Sequence, residues 1–144
     1  MPLGQAPWQF WAVLSALFAA LTAIFAKIGV ENVNSDLATL IRTLVVVCVL
    51  AFIVSVSGQF QDPSKISGRT YLFLLLSGLG TGASWLCYFR ALKHGNAAQV
   101  APIDKLSVVI VAILGVALLG EKLSMVNWLG VLLVAGGAIL VALR

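Results

Sequence analysis

Charge is scarce in this sequence. Of its 144 residues, 10% are charged and 61% are hydrophobic. A soluble globular domain carries about 25% charged and roughly 45–50% apolar residues. So few charges cannot cover a water-facing surface, which excludes a soluble domain and leaves an integral membrane protein. Histidine is almost missing: His94 stands alone, so the two-histidine helical zinc motif is excluded. The phosphate-binding Walker loop and the serine nucleophile elbow are absent too. Cysteine is limited to Cys48 and Cys87, both inside apolar runs. They read as small buried hydrophobes, without a disulfide framework or a metal cluster. No catalytic residue, metal or cofactor is therefore expected. The net charge of +4 comes from bases scattered at the ends of apolar runs, where lipid headgroups meet them. That distribution speaks for membrane lipid and against nucleic acid as a partner. No Lys or Arg precedes the first apolar run at Trp8, so the charged leader of a signal peptide is missing and a retained helix is expected.

What is present is apolar sequence in runs of spanning length, about 20 residues each. Five runs qualify, at residues 8–28, 35–56, 70–93, 97–119 and 124–143. Asn34 or Ser35 and Ser124 suit N-caps, and Gly95-Asn96 and Gly120 suit stops. The turns are short, and residues 57–69 make the one longer loop. Glu121, Lys122 and Asn127 argue against merging the last two helices. The expectation is an all-α membrane domain over residues 1–144. Internal repetition is faint: Lys27-x-Gly29 and Lys93-x-Gly95 close the first and third helices.

Against this background "VAPIDKLSVV", residues 100–109, stands out. It sets Pro102, Asp104 and Lys105 inside an apolar span. On a straight helix Ala101, Asp104, Lys105, Val108, Ala112 and Gly115 share an arc of about 100°, with Ile103, Leu106, Ile110, Ile113 and Leu114 opposite. A charge at the bilayer centre costs about 2.5–3.5 kcal/mol. Two readings stand: a pathway lined by Asp104 and Lys105, or a structural ion pair involving Arg42, Arg90 or Lys93. Pro102 removes a backbone donor beside the pair.

In helix three, Gly78, Thr81, Gly82, Trp85 and Tyr88 share an arc of about 120°. Trp85 and Tyr88 suit a pocket wall. Gly78 and Gly82 form a G-x-x-x-G and, with Gly115, are expected to be close-approach points between helices. Ser15, Ala19, Thr22 and Ala26 form a small stripe on helix one. Arg42 lies among valines and reads as snorkelling towards the headgroups. Trp8, Trp11, Tyr71 and Trp128 read as interfacial anchors.

Three stretches together resemble the EamA-type domain of the drug/metabolite transporter superfamily. They are "FAKIGV" followed by "DLATLIRTL", "YFRALKHGNAAQVAPI", and "LGVALLGEKLSMVNWLGVLLVAGGAIL". The resemblance covers nearly the whole chain. It implies a multi-pass transporter of small solutes, with a cavity lined by the first four helices and a peripheral fifth. Members with ten helices hold two such domains in opposite orientation, and this chain corresponds to one half. Arg42 matches the family's second-helix arginine. Tyr88 falls in the aromatic end of helix three. Glu121 matches the Gly-Glu position and is expected as a turn acid favoured by the dipole of helix five.

The expected function is transport of a small metabolite or drug-like solute across a bacterial or archaeal inner membrane. A dimer works by alternating access. Asp104 serves as a proton- or cation-coupling acid and Lys105 as its partner, with Trp85, Tyr88 and Arg42 at the solute. The alternatives are a flippase subunit for a lipid-linked carrier and a non-transporting accessory protein. Orientation is nearly unbiased. Lys65, Arg69 and Lys122 lie on the amino-terminal side, and Lys27, Arg42, Arg90, Lys93, Lys105 and Arg144 on or near the other. Arg42, Arg90 and Lys105 lie within helices, and without them the two sides balance. This predicts dual insertion and an antiparallel homodimer.

Overall fold

The structure, a computed structural model, describes residues 7–143. Arg144, counted above with the bases, lies outside them. Every regular element among the described residues is helical. Helix α1 spans Trp8–Gly29, α2 Ser35–Val56, and α3 Gly68–His94. Helix α4 spans Ala97–Asp104, α5 Ser107–Leu119, and α6 Met125–Ala142. A single 3₁₀ turn, Pro63–Lys65, interrupts the loop before α3. Among the described residues five spans are long and apolar enough to cross a membrane, with α4 and α5 forming one of them, Ala97–Leu119.

The helix ends follow from local chemistry. The Asn34 side chain accepts from the N–H groups of Asp36 and Leu37 at 2.8 and 3.3 Å, satisfying two donors that α2 leaves open. Asp36 then sits in the positive first turn of α2. Ser124 caps α6 by accepting from Asn127 N–H at 3.2 Å. Gly120 ends α5 in the left-handed region, φ +68°, which a side chain would resist. In the long loop Asp62 accepts from both N–H and Oγ of Ser64. Those bonds hold its carboxyl below the usual carboxylate range. Tyr71 donates from its phenol to Pro63 O at 3.2 Å, so this ring ties the loop to α3.

The side chains left outside are large and apolar: Phe52 is 68% exposed, Leu74 62% and Val111 65%. Contiguous surfaces of that kind are not tolerated in water, whereas lipid tails are as apolar as leucine. Cys48 and Cys87 belong to this outer surface and are exposed, contrary to the buried role expected of them.

The chain forms two compact units. One runs from the amino-terminal region to Lys27 and resumes at His94; the other is Ile28–Lys93. In the first, α6 packs on α4 and α5. The buried residues there are small: Ala23, Ala26, Ala112, Gly115 and Ala138, with Val100. Small side chains let helix backbones approach, the main source of helix association in lipid. The covered stripe of α1 is Thr22, Ala23 and Ala26; Ser15 and Ala19 are exposed. In the second unit Val30, Thr39, Phe89 and Leu92 are buried. Burial there falls on the N-terminal turns of α2 and the C-terminal turns of α3.

Gly78 and Gly82 lie outside that zone. A Cβ at either would meet nothing within 4 Å, so their expected close-approach role is not met inside the described chain. The covered face of α3 starts at Trp85, one turn later.

Candidate functional site

Three contacts pair α2 and the turn before it with α3 in one antiparallel register. Lys93 Nζ donates to Val33 O at 2.6 Å. Arg90 grips Asp36 with two bonds, Nε to Oδ1 at 3.0 Å and Nη2 to Oδ2 at 2.8 Å. Further along, the guanidinium of Arg42 lies 3.9 Å from the centre of the Trp85 ring and 5.6 Å from that of Phe89. From Asp36 to Arg42 is about 9 Å of helix, and from Arg90 to Trp85 about 7.5 Å, so the two pairings are compatible. The Asp36–Arg90 fork is half exposed, so water screens it and it adds little to stability. Its geometry nevertheless fixes which side chains of α2 and α3 meet.

Arg42 therefore reaches across to the aromatic end of α3. It lies over an aromatic floor, where attraction to the rings contributes from about 0.5 to about 2 kcal/mol as water is excluded. Phe89 is buried, and Trp85 and Tyr88 are half-buried. Thr39 and Thr43 direct their hydroxyls to the carbonyls one turn back, at Ser35 and Thr39. Sequence reasoning named Arg42, Trp85 and Tyr88 but not the Asp36–Arg90 fork. Its signal was an acid in the first turn of α2 and an arginine in the last turns of α3.

Asp104 and Lys105 lie in the other unit, where the fourth span breaks. The expected continuous helix over residues 97–119 ends at Asp104 and restarts at Ser107. Across the break the bonds shorten to three-residue steps. Lys105 donates to Pro102 O, Leu106 to Ile103 O, Val108 to Lys105 O and Val109 to Leu106 O, all near 3.0 Å. Pro102 supplies no N–H, so the turn around it has one fewer bond to hold α-helical pitch. Such 3₁₀ steps wind by about 120° per residue instead of about 100°, which rotates all that follows. Ala101, Asp104, Ala112 and Gly115 keep the expected inner side. Lys105 and Val108 turn out to the exposed side, and Leu106 and Val109 are half-buried instead.

The two charges pair with each other, Lys105 Nζ to Asp104 Oδ2 at 3.0 Å. Neighbours on a regular helix do not face each other, so this contact depends on the break. Arg90, considered above as a partner for this acid, is held by Asp36.

Gly115 and Glu121 form a third feature. A Cβ on Gly115 would lie 2.6 Å from Glu121 Oε2, so the glycine accommodates the carboxylate. The N–H groups of Gly120 and Glu121 both donate to Gly115 O. Glu121 is thus a turn residue, but it folds back over α5 rather than forward onto the start of α6. Gly115 meets a side chain there, not another helix backbone.

The faint repeat has a physical counterpart. Lys27 donates to Gly95 O at 2.9 Å, in the turn after α3, and Lys93 to Val33 O, in the turn after α1. Each Lys-x-Gly lysine supplies a donor to a turn carbonyl that its own helix does not reach.

Five apolar spans with lipid-compatible outer faces among the described residues define a multi-pass membrane protein. The chain belongs to the EamA-like transporter family, which it matches over residues 6–143. It is 69% identical over 135 residues to a protein of a Sinorhizobium species named "Uncharacterized transporter in cobO 3'region", covering 94% of this chain and 96% of that one. It is 27% identical over 135 residues to the "Uncharacterized transporter YxxF" of Bacillus subtilis, covering 93% of this chain but 42% of the relative. No solved structure matches it significantly.

Proposed function

We propose that the chain carries a small metabolite or drug-like solute across the cytoplasmic membrane. It works as an antiparallel homodimer by alternating access, with Asp104 coupling the cycle to protons. The observation that carries this reading is the interruption of the Ala97–Leu119 span beside an acid. Irregular backbone at membrane depth is tolerated where it is buried in protein or lines a water-filled cavity. Broken helices of that kind supply carbonyls and helix ends for solutes and coupling ions near the midplane. Lys105 balances Asp104 in the resting state, and Asp104 exchanges that partner for a proton during the cycle, which frees Lys105. Arg42, Trp85 and Tyr88 serve the solute. The dimer is supported by the Bacillus relative, whose unmatched length leaves room for a second such unit. The bacterial origin of both relatives fits the cytoplasmic membrane.

The test is solute-dependent proton movement in proteoliposomes, read with a trapped pH dye against a panel of small metabolites. Wild type moves protons with at least one solute. Asp104→Asn inserts and folds but loses that coupling. Undiminished proton movement in the variant removes Asp104 from the mechanism.

A further inference from the structure

Arg42 is a permanently charged group inside a membrane span, among described residues that leave its N–H donors unbonded. It forms no ion pair and no hydrogen bond with any of them. The acid nearest to it in α2, Asp36, is occupied by both arms of Arg90. The hydroxyls of Thr39 and Thr43 donate to carbonyls of their own helix, and Arg42 donates to neither of them. What holds Arg42 is its cation–π contact with Trp85, at 3.9 Å from the ring centre, and with Phe89, at 5.6 Å.

Stacking satisfies the plane of a guanidinium and leaves its edge, where all the N–H bonds point, unspent. A flat, oriented fork matches the two oxygens of a carboxylate or phosphate. Arg42 also lies eight residues into α2, about 10 Å of helix from its start, so a charge there gains from a counter-ion brought to it. The floor beside the fork is aromatic, which suits an apolar body attached to the anionic group.

We propose that Arg42, held on Trp85, binds the anionic group of a small organic acid or phosphate ester, with Trp85 and Tyr88 against its apolar part. This deepens the transporter reading by naming the class of solute, and it rests on that reading only for the solute's being transported. The same chemistry is offered by an anionic lipid headgroup, and the experiment separates the two sources.

The purified full chain in uncharged detergent is melted with benzoate, phenyl phosphate or inorganic phosphate at matched ionic strength. Benzylamine is the cationic control, and phosphatidylglycerol against phosphatidylcholine is the lipid arm. A ligand that binds only the folded state raises Tm in proportion to the logarithm of its occupancy. Benzoate or phenyl phosphate should raise Tm by a few degrees, and benzylamine should not. Arg42→Gln should abolish the shift. Arg42→Lys, which keeps the charge but not the fork, should weaken binding several-fold. Trp85→Leu should weaken the phenyl-bearing anions more than inorganic phosphate. An Arg42-dependent shift with phosphatidylglycerol alone supports the anion site and assigns it to lipid. The proposal is overturned if no anion shifts wild type, if the shift survives in Arg42→Gln, or if benzylamine stabilises as well. Should Arg42→Gln not fold, unchanged benzoate affinity in Arg42→Lys overturns it. Because the readout is binding, an intact Arg42-dependent shift alongside a failed Asp104 assay removes the coupling proposal alone. The reverse pattern removes this site alone.

Discussion

Gly115 and Glu121 show how one side chain sets the size of another. An alanine at 115 would put its Cβ against the tip of the flexible Glu121 side chain, which yields more cheaply than backbone. Alanine is also favoured over glycine within a helix by about 1 kcal/mol. The two effects oppose each other, so Gly115→Ala should change stability in detergent little. In a Glu121→Ala background only the helix preference remains, and the same substitution should raise Tm. A double-mutant cycle measured by thermal melting checks this. Equal effects in both backgrounds would show that the carboxylate does not rest on Gly115. Gly82 belongs at this scale too. With open space around its Cα, Gly82→Leu should cost less than Phe89→Ala, where a buried ring is lost at about 3–5 kcal/mol.

At the scale of the element, the broken fourth span has a single-residue cause to test. Pro102→Ala restores the missing N–H and removes the ring. The steps at residues 105–109 should then relax to α-helical bonds, rotating Val108 inward and separating Asp104 from Lys105. Stability should rise by up to about 3 kcal/mol, the usual cost of an interior proline. Solute-linked proton movement should fall. Cysteine accessibility at Val108, reactive in the native sequence and protected in the Pro102→Ala background, reports the rotation directly. Unchanged reactivity would mean that the break is set by the packing of α4 and α5 on α6. The cap of α2 makes a second, simpler case. Asn34→Ala removes the acceptor of two N–H donors and should lower stability by about 1 kcal/mol.

At the scale of the whole molecule the question is how many ways the chain inserts. Lys27, Arg90 and Lys93 are engaged in bonds within their units. With the helical bases set aside, the remaining charges scarcely favour an orientation. Ser64→Cys, in a background without Cys48 and Cys87, places one thiol in the loop before α3. An impermeant reagent added outside intact cells should label about half of the molecules if both orientations occur, as an inverted pair requires. Labelling of nearly all or nearly none would rule out dual insertion and call for a parallel dimer or a separate inverted partner.

The five spans, their ends and the membrane setting were determined by the sequence itself. The reason is local: about 20 apolar residues must satisfy their own backbone in lipid, and asparagine, serine and glycine act within a few residues of the ends they mark. Ser35–Val56 matches the expected bounds, and Ser124 caps α6 as its position suggested. Arg42, Trp85, Asp104 and Lys105 were legible as chemically unusual, because polar groups in apolar runs are costly wherever they point. Which of them meet was decided only in three dimensions. The pairing of α2 with α3 depends on register between residues far apart in sequence, so Asp36 took Arg90 and Trp85 received Arg42. The faces of α4 and α5 depend on a turn that a straight-helix projection cannot contain, since a few steps of tighter winding turn Lys105 outward. Gly78 and Gly82 form a packing motif by spacing alone, but packing needs a neighbour, and α3 covers its other end.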